Sequence, residues 1–90
     1  MKPSEYIRKG WCQRLYAVDE YEAPCHPTSS LACAWCLEGA IQAAYPYEEG
    51  KRIGITKQLS MRVGPGIVLW NDDPSRKQQQ VIELLESIGE

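Results

Sequence analysis

The stretch Leu31-Ala32-Cys33-Ala34-Trp35-Cys36-Leu37-Glu38-Gly39-Ala40-Ile41 is apolar almost throughout, and Pro46 closes it off a few residues later. A segment with so little polar face belongs in the middle of a domain, with neighbours on several sides. Thr28, Ser29 and Ser30 offer N-caps ahead of it, so the pattern predicts a helix over Ser30–Ala44 that Pro46 cannot extend. Ala32, Gly39, Ala40 and Ala43 permit close approach of the neighbours, and Trp35 is expected inside the core. The rest of the fold is then arranged around this element.

Ninety residues supply one core and not two, so residues 1–90 are read as a single domain. A first short helix opens at Pro3 or Ser4 and stops near Gly10. Trp11–Tyr16 reads as strand or irregular, and Asp19–Pro27 as loop, with Pro24 and Pro27 bracketing Cys25-His26. Ile55, Leu59 and Val63 recur at four-residue spacing, which predicts a helix stopped by Gly64-Pro65-Gly66. Ile67–Trp70 is a short run of strand formers. The last helix is expected to take Asp73 as N-cap and Pro74 as its first residue, with Val81, Leu84, Leu85 and Ile88 as its apolar face. The predicted fold is mostly α: three or four short helices around the central one, with one or two short extended segments near Trp11 and Trp70.

Charge narrows the function classes. Twelve acidic residues against ten Lys and Arg give a formal net charge of −2, which argues against nucleic acid as a partner. The basic stretch Lys51, Arg52, Lys57 and Arg62 could touch phosphate, but is read first as a solvated face. The longest apolar run is about a third of a membrane span, and the first residues carry no apolar signal core. The expectation is therefore a cytoplasmic protein with no membrane segment, whose four cysteines are reduced.

Three groups of residues are candidates for chemistry. Cys12, Cys25, His26, Cys33 and Cys36 include a Cys-x-x-Cys pair and have the ligand types that zinc takes in a tetrahedron. The alternative is that they are small buried hydrophobes with no cofactor. The pair lies within an apolar stretch rather than on a tight knuckle, and no second closely spaced pair completes the set. In the predicted helix Cys33 falls near the first turn, where a thiol's pKa is lowered, but a thioredoxin-like site needs a larger sheet than this chain can build. Cys25 beside the only histidine, His26, is the arithmetic minimum for a cysteine nucleophile with a base. Asn71 and Asp72 form the second group, a polar site between an extended run and a helix, or simply a turn whose side chains satisfy backbone amides.

The third group is aromatic. Three Trp and five Tyr, with no Phe, are many polar-tipped rings for so small a core. Tyr16, Tyr21, Tyr45 and Tyr47 fall in or beside predicted loops, where burial is least expected. Exposed tyrosine is a residue type enriched at binding hot spots, and the competing account is that these rings cover the edges of the core.

Gly10-Trp11, the block Trp35-Cys36-Leu37-Glu38-Gly39-Ala40, and Trp70-Asn71-Asp72 ahead of a closing amphipathic helix together resemble a family of small bacterial and phage proteins catalogued as a domain of unknown function. The resemblance spans most of the chain and implies no activity, cofactor or catalytic residue. Only Cys36 of the four cysteines falls within its blocks, which lowers the zinc reading, whereas Asn71 and Asp72 both do. The function expected is that of a non-enzymatic accessory or regulatory protein acting on a protein partner or by self-association. A zinc-binding or thiol-dependent protein, and an enzyme using Asn71 and Asp72, are the alternatives.

Overall fold

The computed structural model describes all residues, 1–90. Five helices and one minimal sheet make up the chain: α1 (Pro3–Lys9), β1 (Ala17–Val18), β2 (Ala34–Trp35), α2 (Leu37–Ala44), α3 (Glu49–Val63), α4 (Ile67–Asn71) and α5 (Gln78–Glu86). The mostly α expectation holds, with short extended segments.

α1 begins at Pro3, whose missing N–H costs nothing in a first turn, and Glu5 reaches back to accept from the Lys2 N–H at 2.9 Å. Gly10 ends it by donating its N–H to the Tyr6 carbonyl. The helix lies across α2 and α5, burying Ile7 completely. α3 shows the predicted spacing, with Ile55 and Leu59 buried, Val63 half-buried and Gly64 as its C-cap.

The central element differs from the prediction. The helix starts at Leu37 and not at Ser30, because residues 33–36 spend their backbone hydrogen bonds sideways. Cys33 N–H donates to Val18 O at 2.9 Å, Trp35 N–H to Gly10 O at 3.0 Å and Cys36 N–H to Tyr16 O at 3.1 Å. β2 runs antiparallel to β1, with Ala17 opposite Trp35 and Val18 opposite Ala34. Trp11 bridges Trp35 on the other side and Pro24 bridges Val18, so four extended segments lie side by side. Cys36 is the N-cap of α2, its sulfur accepting from the Gly39 N–H at 3.3 Å. Leu31, expected in the core, is 69% exposed. Trp35 is buried as expected. Its indole N–H donates to Pro27 O at 2.9 Å, and its ring meets Tyr6 edge-on at 5.0 Å.

Two further predictions are corrected. Ile67–Trp70 is the body of α4 rather than a strand: Gly66, in the left-handed conformation, turns the chain so that Trp70 N–H donates to Gly66 O, and Ile67 is buried. The last helix starts at Gln78, with Lys77 as N-cap. Asp73 instead closes a local turn, accepting from Ser75 N–H at 2.8 Å and Ser75 Oγ at 2.7 Å, which holds its carboxyl below the usual carboxylate range. Val81, Ile82 and Leu85 form the buried face of α5, with Leu84 and Ile88 packed at the margin of the core.

Glycine is required where backbones touch. A Cβ on Gly39 would stand 1.9 Å from Tyr16 O, and one on Gly10 would stand 2.2 Å from Cys33 O. These two contacts lock the extended layer onto α2 and onto the end of α1.

Candidate interaction site

The three sequence blocks that carry the family resemblance meet at Asn71. This side chain has no exposed surface, and its amide is fully committed. Oδ1 accepts from the Trp11 indole N–H at 2.8 Å and from the Leu37 N–H at 3.1 Å, one of the amides that a helix start leaves free. Nδ2 donates to Cys12 O at 3.2 Å and to Asp72 Oδ1 at 3.0 Å. Asp72 Oδ1 also accepts from the Arg14 N–H at 2.9 Å, holding Arg14 in the left-handed region at φ 72°. Gln13 completes the clasp by donating to Asn71 O and Asp73 O. Asn71 therefore ties the Trp11–Arg14 loop, the start of α2 and α4 together. Asp72, half-buried, is the member of the pair that solvent reaches.

The cysteines lie around the extended layer. Cys36 is buried, Cys12 and Cys25 are half-buried, Cys33 is exposed, and all four are free thiols. Burial pushes the Cys12 thiol up to about 12, with the neighbouring Cys36 and Asp72 adding to the rise. Burial likewise pushes Cys36 up to about 11, against the lowering effect of the Gly39 and Glu38 amides. Cys25 is also raised, first by desolvation. A thiol held protonated at neutral pH is a poor nucleophile. No three His, Cys, Asp or Glu side chains stand together in a way that would hold a metal ion. Cys33 does not occupy a helical first turn, since that position belongs to residues after Cys36.

The four tyrosines divide. Tyr16, Tyr21 and Tyr47 are exposed, at 53%, 82% and 96%. Tyr45 is not a loop residue open to solvent. It caps the end of α2 and packs half-buried against the core, with its hydroxyl donating to Glu90 Oε1 at 2.5 Å and Lys51 Nζ lying 4.4 Å from its ring centre. Burial and then the Glu90 carboxylate push its hydroxyl up to about 12. The hydrogen bond to Glu90 is a contact between residues 45 positions apart, which local sequence does not display.

Two hollows open on the loop face formed by residues 11–33. One, of about 350 Å³, is lined by Tyr21, Leu31, Ser30 and Ala32 together with Asp19, Glu20 and Cys33. The other, of about 510 Å³, shares Asp19, Glu20 and Cys33 with it and continues past Arg14, Leu15 and Trp11. The Asp19–Ala23 turn that carries Tyr21 is held by Asp19 Oδ1, which accepts from the Tyr21 and Ala23 N–H groups. Glu20, Glu22 and Arg14 remain exposed at the rim. Leu31 was the residue hidden from sequence reasoning, because the apolar run drew it into the predicted helix. The turn formers Pro27-Thr28-Ser29-Ser30 immediately before it were the signal against that placement.

A third hollow, of about 570 Å³, lies between α2 and α3 and includes Glu38, Gln42, Glu49, Arg52, Thr56 and Lys57. Arg52 and Lys57 belong to the basic stretch read from the sequence as a solvated face, whereas Glu38, Gln42, Glu49 and Thr56 carried no site reading, although Glu38 and Gln42, and Arg52 and Thr56, sit at the four-residue spacing that shares a helix face.

A family model described as a family of unknown function (DUF6197) matches residues 4–89. Searches among curated proteins and among solved structures return no significant match. No helix is long and apolar enough to cross a membrane.

Proposed function

This chain belongs to the DUF6197 family, and from that premise we propose that it is a non-enzymatic accessory protein acting by binding a protein partner through the loop face around Tyr21 and Leu31. One observation carries the reading. Two large apolar side chains from separate loops, 82% and 69% exposed, line a single hollow that is continuous with a second. Apolar surface gathered around a concavity is a feature of interaction sites, and tyrosine is among the residue types that dominate their energetics. The acidic rim at Glu20 and Glu22 sets the chemistry of the partner: a basic segment bearing an apolar anchor. Free thiols suit a reducing compartment, and the cytoplasm is the proposed location.

The test compares affinity capture by the unaltered protein, by the pair Tyr21→Ser/Leu31→Ser, and by Tyr47→Ser, whose residue lines none of the three hollows. A partner held by the unaltered protein and by Tyr47→Ser, released by rising salt, and bound at least about tenfold more weakly by the pair supports the reading. If that partner is a second copy, sedimentation shows a dimer that the pair dissociates. Capture that is the same for all three proteins refutes it.

A further inference from the structure

The hollow between α2 and α3 differs in kind from the loop face. Only Ile53 among its lining residues is hydrophobic. It holds two carboxylates, Glu38 and Glu49, and two cations, Arg52 and Lys57, none of which is ion-paired, since the ion pairs of the molecule are Arg8–Glu86 and Lys51–Glu90. Glu38, Gln42 and Thr56 are half-buried, yet their side chains have no protein hydrogen-bond partner. Arg52 is the exception in one respect. Its Nη1 donates to Tyr45 O at 2.6 Å, which fixes the guanidinium at the mouth of the α2–α3 turn and leaves its other N–H groups unspent. His26 also lines the hollow, its Nδ1 lying 2.7 Å from Thr28 Oγ1 and 3.1 Å from the Thr28 N–H.

Glu38 comes from α2 and Glu49, Arg52 and Lys57 from α3, and these opposite charges share the hollow without pairing. A simple anion would meet Glu38 and Glu49, and a simple cation would meet Arg52 and Lys57. A ligand carrying both signs answers all four, its acid group toward Arg52 and Lys57 and its ammonium toward the carboxylates. The volume is that of a site for a small molecule, and the polar lining excludes a greasy one. We propose that this groove binds a small zwitterion bearing an acidic group and an ammonium, independently of the loop face.

The experiment is an amide NMR titration of the whole protein with two zwitterions that differ in their acid, phosphoethanolamine and γ-aminobutyric acid. Inorganic phosphate and ethanolamine serve as the single-charge probes. Saturable shifts confined to residues 26–28, 38–42 and 49–57, with a dissociation constant of about 1 mM or tighter for at least one zwitterion, are expected. Each single-charge probe should bind at least about tenfold more weakly. Lys57→Gln and Glu38→Gln, at exposed and half-buried positions respectively, should each weaken the zwitterion by about tenfold while leaving the melting temperature in place. The proposal is overturned if neither zwitterion gives saturable shifts there. It is equally overturned if phosphate alone binds as well as phosphoethanolamine and Glu38→Gln changes nothing, which is the behaviour of a basic patch.

Discussion

Helices α2 and α3 stand next to each other in the chain and are used in opposite ways. The eight residues of α2 bury five, whereas the fifteen of α3 bury only Ile55 and Leu59. α2 is hemmed in by β2, α1, α4 and the backbone of Tyr16, and its first free amide is taken by Asn71. α3 exposes Met61 at 87% and Ile53 at 47%, and its polar stripe faces the open groove. The difference separates two jobs. A small domain has to concentrate its stability in one densely tied region, and the remainder is then free to present surface.

The largest effect should come from the tie itself. Asn71→Ala leaves the buried Leu37 N–H and the half-buried Trp11 indole and Cys12 carbonyl without their partner, at about 1–3 kcal/mol for the buried group and less for each of the others. Set against the roughly 5–15 kcal/mol that holds a domain together, this should unfold the protein, as followed by circular dichroism. Trp35→Ala should cost about 3–5 kcal/mol in a denaturant titration, since the ring is enclosed by Tyr6 and the core and its N–H is satisfied.

Alkali attacks the same region. Cys12 and Cys36 ionise near 9 in the unfolded chain and only at about 12 and 11 in the folded one. The folded state thus retains protons that the unfolded state has lost, and stability falls as pH rises above about 9 toward 12. Tyr45 adds to the loss above about 10, by the same sign. Denaturant midpoints measured from neutral pH upward check this, and Cys12→Ser should flatten the curve.

Much of this division was legible in the sequence, and the exceptions have a common cause. α1 was announced by Pro3 and Gly10, and α3 by Ile55, Leu59, Val63 and Gly64, because local periodicity and local caps decide those elements. The start of α2 was displaced because an apolar run does not say whether its backbone bonds along itself or sideways. Tyr16, Val18 and Gly10 decided that for residues 33–36. The strand formers of Ile67–Trp70 fold as a helix because packing outweighs so short a propensity. Asn71 looked like a turn residue or a polar site, and its role depends on Trp11, Cys12 and Leu37, which lie 34 to 60 positions away. Tyr21 was identified as exposed, but its neighbour Leu31 was not, and so the loop face was half visible.

Smaller effects sharpen the contrast between the helices through a single methyl group. In α2, Gly39→Ala drives a Cβ into the Tyr16 backbone and should cost about 1–3 kcal/mol as β1 is pushed aside. In α3, Gly54 has nothing within 4 Å of an added Cβ, and replacing a mid-helix glycine by alanine should stabilise by about 0.5–1 kcal/mol.

These two variants, melted side by side with the unaltered protein, test the central claim that α2 is clamped and α3 is free. The account predicts shifts of opposite sign: a fall of several degrees for Gly39→Ala and a rise of roughly 2–8 °C for Gly54→Ala. A rise for both, or a fall for Gly54→Ala, would contradict it.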